Sequence, residues 1–118
     1  MDVVKRGELE PFTTKDGSEI REYLHTAAQS LAEATLAPGQ STQRHHHVIS
    51  EEIYLLVDGG GTMEVDGEER EVGADDAILI PAGAWHTLTA GAQGVRLLCC
   101  CVPPYHHDDT YFTANAST

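Results

Sequence analysis

Positive charge is scarce in this sequence. Its 118 residues include 7 Lys and Arg against 19 Asp and Glu, a formal net charge of −12. A surface of that sign repels phosphate backbones and anionic headgroups, so neither nucleic-acid binding nor membrane association is expected. Long apolar runs are missing too, and no stretch approaches the length that spans a bilayer. The opening Met1-Asp2-Val3-Val4-Lys5-Arg6 has no apolar segment of the kind that directs secretion. A cytoplasmic location is expected. Cysteine is absent except for Cys99, Cys100 and Cys101. Neighbours on a strand point to opposite faces, so these three do not pair comfortably, and a disulfide framework within the chain is excluded. They also lack the CxxC spacing that wraps a zinc ion. Packing is the reading left to them, with a chemical role only if Cys99 and Cys101 face a cavity.

Helical periodicity is also missing. Apolar stretches are short, alternate with polar residues and are cut by Gly or Pro every several residues, which is the pattern of strands. Residues 30–36 alternate and stop at Pro38-Gly39; residues 52–57 form a β-rich run expected to stop at Asp58-Gly59-Gly60-Gly61. Residues 62–65 and 68–72 flank Asp66-Gly67, a pair that supplies the positive φ of a tight hairpin turn. A short buried strand at 77–80 ends at Pro81-Ala82-Gly83, and two further strands, 86–90 and 95–102, are separated by Ala92-Gln93-Gly94. Such a series predicts an all-β sandwich or barrel. The length supports one modest core, so a single domain over residues 1–118 is expected, with a barrel core near 20–103 and both ends packed on it as arms. Residues 1–20 hold at most one strand. The tail cannot continue the last strand past Pro103-Pro104. Its three aromatics, Tyr105, Tyr111 and Phe112, predict that it lies back over the barrel, whereas 113–118 are expected to be mobile.

Of the seven histidines, five fall in clusters at 45–47 and 106–107, and His86 stands alone behind a turn. On a strand, His45 and His47 project to one face, roughly 7 Å apart along it, and His46 to the other. Two imidazoles so placed can converge on one metal ion. Glu52 opens the next strand and can add a carboxylate; His86 can add a third nitrogen. Three imidazoles and a carboxylate suit a divalent transition metal: Fe, Mn, Co, Ni, Cu or Zn. His46 is expected to face solvent unless a bulge turns it inward. His106 and His107 read as surface residues. Gln43 and Tyr54 share parity with the ligands on their strands and are candidates to line the same cavity. The ten acidic residues from Glu51 to Asp76, against the single Arg70, read as a solvated hairpin face.

The stretch from Gly39 through His45-His46-His47 and Glu52 to Gly59 resembles the first conserved motif of the cupin superfamily: a Gly, five residues, HxH, three or four residues, Glu, six residues, Gly. Counting back from Gly59 selects Glu52, not Glu51, as the family's metal-ligating glutamate. The second motif, Pro-x-Gly-x-x-His, resembles Pro81-Ala82-Gly83-Ala84-Trp85-His86. Two departures stand out: the family's Gly-Asp before the second motif reads Asp75-Asp76, and an Asn common four residues beyond the last histidine is Ala90. The resemblance implies a double-stranded β-helix (a jelly-roll cupin barrel) holding one divalent metal ion on His45, His47, Glu52 and His86. It also implies a homodimer formed through edge strands or swapped N-terminal strands. It implies dioxygenase, isomerase, cyclase or lyase chemistry on a small oxygenated molecule, or else a non-catalytic module that binds or stores a small ligand.

Overall fold

The computed structural model of the chain describes residues 1–112. The expected mobile end, 113–118, lies outside the described residues. Nine strands follow in order: β1 (Phe12–Thr13), β2 (Glu19–His25), β3 (Ser30–Leu36), β4 (His45–His47), β5 (Glu51–Val65), β6 (Glu68–Gly73), β7 (Ala77–Ile80), β8 (His86–Val102) and β9 (Thr110–Phe112). All pairings between them are antiparallel, and the sheet curls round a single apolar core. The only helical pieces among the described residues are two three-residue 3-10 turns, and no helix is long and apolar enough to cross a membrane.

Two long strands organise everything else. β5 and β8 pair along nearly their whole lengths, from Glu51 opposite Val102 to Val65 opposite His86. The glycine run was expected to end the first of these, and Ala92-Gln93-Gly94 to split the second. Neither does. Instead the pairing shifts register twice, between Leu56 and Asp58 and between Gly59 and Gly61. Each bulge inserts an unpaired residue and bends the strand, so the inward-facing positions change parity. In β5 the buried side chains are Glu52, Tyr54 and Leu56 before the bend and Met63 after it; in β8 they are His86, Leu88 and Ala90 before it, then Val95, Leu97 and Cys101. A period-2 reading sees such a change of phase as a gap between two strands. Glycine is needed at the bend because of close approach: a Cβ at Gly59 would strike the Gly94 carbonyl, and one at Gly61 the Thr89 carbonyl.

The hairpin at Asp66-Gly67 forms as expected, with Val65 opposite Glu68 and positive φ at both loop residues, 48° and 89°. Its acidic strand β6 is mostly exposed. The altered turn at Asp75-Asp76 keeps a left-handed residue, since Asp75 takes φ 75°, a conformation Asp tolerates better than most side chains. Asp76 then accepts the Gly73 N–H at 2.8 Å.

The ends carry more structure than residue pattern predicts. β2 was not foreseen, because its exposed and half-buried residues alternate without a clear apolar face. The tail does lie back over the barrel, and it does so as a strand: β9 pairs with β4, His45 opposite Phe112 and His47 opposite Thr110. On the outer face, Arg6 sets its Nε 2.9 Å from both oxygens of the buried Glu33, and Arg96 adds a bond of 2.8 Å. Burial alone would raise the Glu33 pKa, but these guanidinium contacts hold it below the usual carboxylate value. This pins the N-terminal segment to β3.

Gly61→Ala is expected to cost about 2–3 kcal/mol, because the new Cβ meets backbone that cannot rotate away. Urea unfolding measures it; an unchanged midpoint would mean that β5 and β8 do not approach so closely there.

Candidate metal centre

Register alone brings the four residues chosen from sequence together. The short β4 places His45 and His47 on its inner face, and β8 lies beside it with His86 opposite His45. Glu52 enters from β5, flanked by Ile80 and Cys101 in the neighbouring strands. All four side chains are buried, at 1–3% exposure. One donor atom from each lies within 4.8 Å of every other.

The hydrogen bonds behind the rings fix which atom each one presents. His45 Nδ1 donates to the Gln43 carbonyl at 2.7 Å, His86 Nδ1 to the Ala84 carbonyl at 3.0 Å, and His47 Nδ1 to the Asp109 carbonyl at 3.2 Å. A carbonyl only accepts, so each Nδ1 carries a proton, and a ring in its neutral form turns a bare Nε2 lone pair inward. There they face an acidic oxygen: Glu52 Oε1 is 3.1 Å from His47 Nε2 and 3.2 Å from His86 Nε2. Acceptors thus confront an acceptor. Among the described residues, Glu52 Oε1 and His86 Nε2 have no hydrogen-bond partner, an arrangement costing about 1–3 kcal/mol per buried group unless a cation or a proton joins them. The donor set therefore fits a divalent metal ion.

The acid–base tendencies divide between the rings. Burial, aided by His86, pushes the His45 pKa down to about 4, so that ring is a neutral donor near pH 7. Burial also works against charge on His47, but the Glu52 carboxylate outweighs it and raises the His47 pKa. Glu52 itself is held well below the usual range: burial opposes this, and the His47 and His86 contacts overcome it.

Several residues that residue pattern did not identify complete the site. Asp109, buried in the tail, accepts the backbone N–H groups of Val48, Ile49 and Ser50 at 3.0–3.1 Å. Its carboxylate thereby shapes the loop between β4 and β5, while its carbonyl orients His47. Asp16, in the turn before β2, has Oδ1 held by Thr14 and Ser18, and its Oδ2 lies 3.9 Å from His45 Nε2. Cys99 and Cys101 direct their thiols to Glu52 Oε2 at 3.0 and 3.4 Å. Beside the cluster is a cavity of about 70 Å³ lined by Asp16, Ile20, Ala32, Tyr54, Tyr105 and others, and by no Lys or Arg. At roughly 10–15 Å³ per enclosed water, it holds a few waters or a very small ligand.

Other expectations divide. No bulge turns His46 inward, but it does not face solvent either: it is half-buried between Trp85 and Tyr111, ring centroids 4.0 and 5.3 Å away. His106 and His107 are exposed, as expected. Tyr54 lines the cavity, whereas Gln43 is exposed and contributes only its carbonyl, because it precedes β4 and strand parity does not reach it.

Asp109→Ala removes the acceptor of three N–H groups and should destabilise the fold by about 2–3 kcal/mol. It should also weaken retention of added divalent metal by about 10–100-fold, as loss of a group behind a ligand does. Thermal unfolding and equilibrium dialysis read the two effects, and intact retention would show that the tail does not hold His47 in place.

The cupin-domain family model matches residues 32–101. An uncharacterized protein of Methanocaldococcus jannaschii is 44% identical over 108 residues, 86% of either chain. The dimethylsulfoniopropionate lyase DddW of Ruegeria pomeroyi is 36% identical over 66 residues, which are 56% of this chain and 43% of the lyase. A variant of Streptomyces PAC13 with uridine superposes with a TM-score of 0.81 at 20% identity, covering 94% of this chain and 89% of that one. The structural likeness speaks for the fold, a jelly-roll barrel, and the family match and the Methanocaldococcus relative speak for descent: this chain belongs to the cupin family.

Proposed function

We propose that the chain is a metal-dependent enzyme acting on a small oxygenated organic molecule, with His45, His47, Glu52 and His86 holding one divalent transition-metal ion. The observation that carries this reading is the buried pair Glu52 Oε1 and His86 Nε2, 3.2 Å apart and without a hydrogen-bond partner among the described residues. Three imidazoles and one carboxylate would hold an ion with positions to spare, and it would supply Lewis-acid polarisation of a chelating substrate. The protein supplies the rest. Ile20, Ala32 and Tyr54 give the cavity apolar walls, and its size admits only small molecules. A lining without Lys or Arg favours neutral or weakly charged ones. Asp16, its orientation fixed through Oδ1, offers Oδ2 as the acceptor for a substrate hydroxyl or C–H proton. Among the relatives, one is a lyase and one a tetracenomycin polyketide synthase protein, which supports an enzyme. We read residues 1–118 as one domain in the reducing cytoplasm, which suits three free thiols.

Protein as purified should carry one metal ion per chain by elemental analysis, and His86→Ala should lose it. Metal-loaded protein would then be screened against diketones, sugars and 2-oxo acids, with and without oxygen. Turnover abolished by His86→Ala confirms the enzyme. Binding without turnover assigns a non-catalytic ligand-binding module, and metal-free protein with His86→Ala unchanged ends the proposal.

We also propose a homodimer. Leu24, Leu31, Cys100, Ile53 and Leu79 stand opposite one another across five strands, forming a continuous apolar row on the outer face. Leu24, Ile53 and Leu79 in it are exposed by 40–56%, and Leu55 and Val102 flank it. A second copy of the chain, turned about a two-fold axis, covers such a row with itself. Light scattering should give twice the chain mass, and Leu79→Lys should return it to one. A monomeric parent protein would remove the dimer.

A further inference from the structure

Glu52 has a second oxygen, and it faces sulfur. The pairing of β5 with β8 sets Tyr54 opposite Cys99 and Glu52 opposite Cys101, so both thiols reach the inner face that carries the carboxylate. Cys99 Sγ lies 3.0 Å from Glu52 Oε2, Cys101 Sγ 3.4 Å from it, and the two sulfurs are 3.7 Å apart. Two thiolates bound tetrahedrally to one ion at ~2.3 Å are separated by roughly 3.8 Å, so the pair already stands at the spacing a metal would impose. Both thiols line the cavity, and Cys101 is buried. Cys100, between them in sequence, belongs to the outer face.

We propose that Cys99, Cys101 and Glu52 form a second cation site, back to back with the histidine cluster and sharing Glu52, which accepts a thiophilic d10 ion such as Cu(I), Zn(II) or Cd(II). Glu52 bridges: Oε1 serves the three imidazoles, and Oε2 joins the two sulfurs. Soft thiolate ligands set the preference of this half, as the imidazoles set that of the other. Binding forms two metal–sulfur bonds and breaks two S–H bonds; both protons leave to water, and no atom changes oxidation state. Their mutual hydrogen bond, burial and the Glu52 charge raise the Cys99 pKa. A cation reverses the influence of charge and deprotonates the sulfurs that ligate it. The remaining coordination position of a four-coordinate ion opens on the cavity, where water fits. This site needs only Glu52 and the thiols, and stands whether or not the histidine cluster is catalytic.

Full-length Cys100→Ser protein, freed of metal and kept reduced, would be titrated with Cd(II), following thiolate-to-cadmium absorption in the ultraviolet and the bound metal by equilibrium dialysis. Two ions per chain are expected, with the absorption saturating at one equivalent. Adding Cys99→Ser and Cys101→Ser should abolish the absorption and leave one ion. Adding His45→Ala instead should keep the absorption while the count falls to one. No absorption from folded Cys100→Ser protein would overturn the site without recourse to the serine variants, and so would absorption that survives the loss of Cys99 and Cys101. Absorption present with no second ion retained would sustain this site and sink the histidine one.

Discussion

A buried carboxylate oxygen facing imidazole lone pairs is unfavourable, and the rest of this fold is arranged to maintain it. Neutral histidines could rotate or exchange tautomers to relieve the contact, but each is prevented by a backbone carbonyl behind its Nδ1. Glu52 could turn away, but Ile80 and Cys101 flank it and the two thiols take its other oxygen. The tension at the centre is thus held by ordinary backbone hydrogen bonding at the periphery. A shared positive charge resolves it, and the donor set fits a metal ion.

The periphery comes from distant parts of the chain. The Gln43 carbonyl precedes β4, the Ala84 carbonyl belongs to the turn before β8, and the Asp109 carbonyl arrives from the tail. The tail therefore acts as a clamp: Asp109 fixes the β4–β5 loop through three N–H groups while β9 pairs with β4. β4 has only three residues and makes one register pair with β8. Without β9 it would have little to define its orientation, and with it the orientation of His45 and His47.

The four candidate ligands were legible in the sequence because strand parity is local. Two histidines two residues apart share a face wherever the segment is extended, and the motif spacing distinguishes Glu52 from Glu51, which the structure leaves exposed. The all-β class was legible for the same reason. The long strands β5 and β8 were broken in the reading at Gly59-Gly60-Gly61 and at Ala92-Gln93-Gly94, since a bulge changes the phase that a period-2 pattern depends on. Glycine there serves close backbone approach, which no single segment reveals. Asp109, Asp16 and the carbonyl of Gln43 were missed because their roles arise from contacts across the fold. Asp16 and Asp109 also lie outside the stretch, 32–101, that the family model matches. His46 was misplaced for the same reason: the side chains that cover it, Trp85 and Tyr111, come from elsewhere.

The most direct test of the central contact is anomalous diffraction from crystals of the protein as isolated, with data collected at the absorption edges of the first-row metals. One strong peak is expected, about 2.0–2.2 Å from the Nε2 atoms of His45, His47 and His86 and from Glu52 Oε1. A peak-free map, with a ring turned so that Nε2–H donates to Glu52 and Nδ1 leaves its carbonyl, would contradict it.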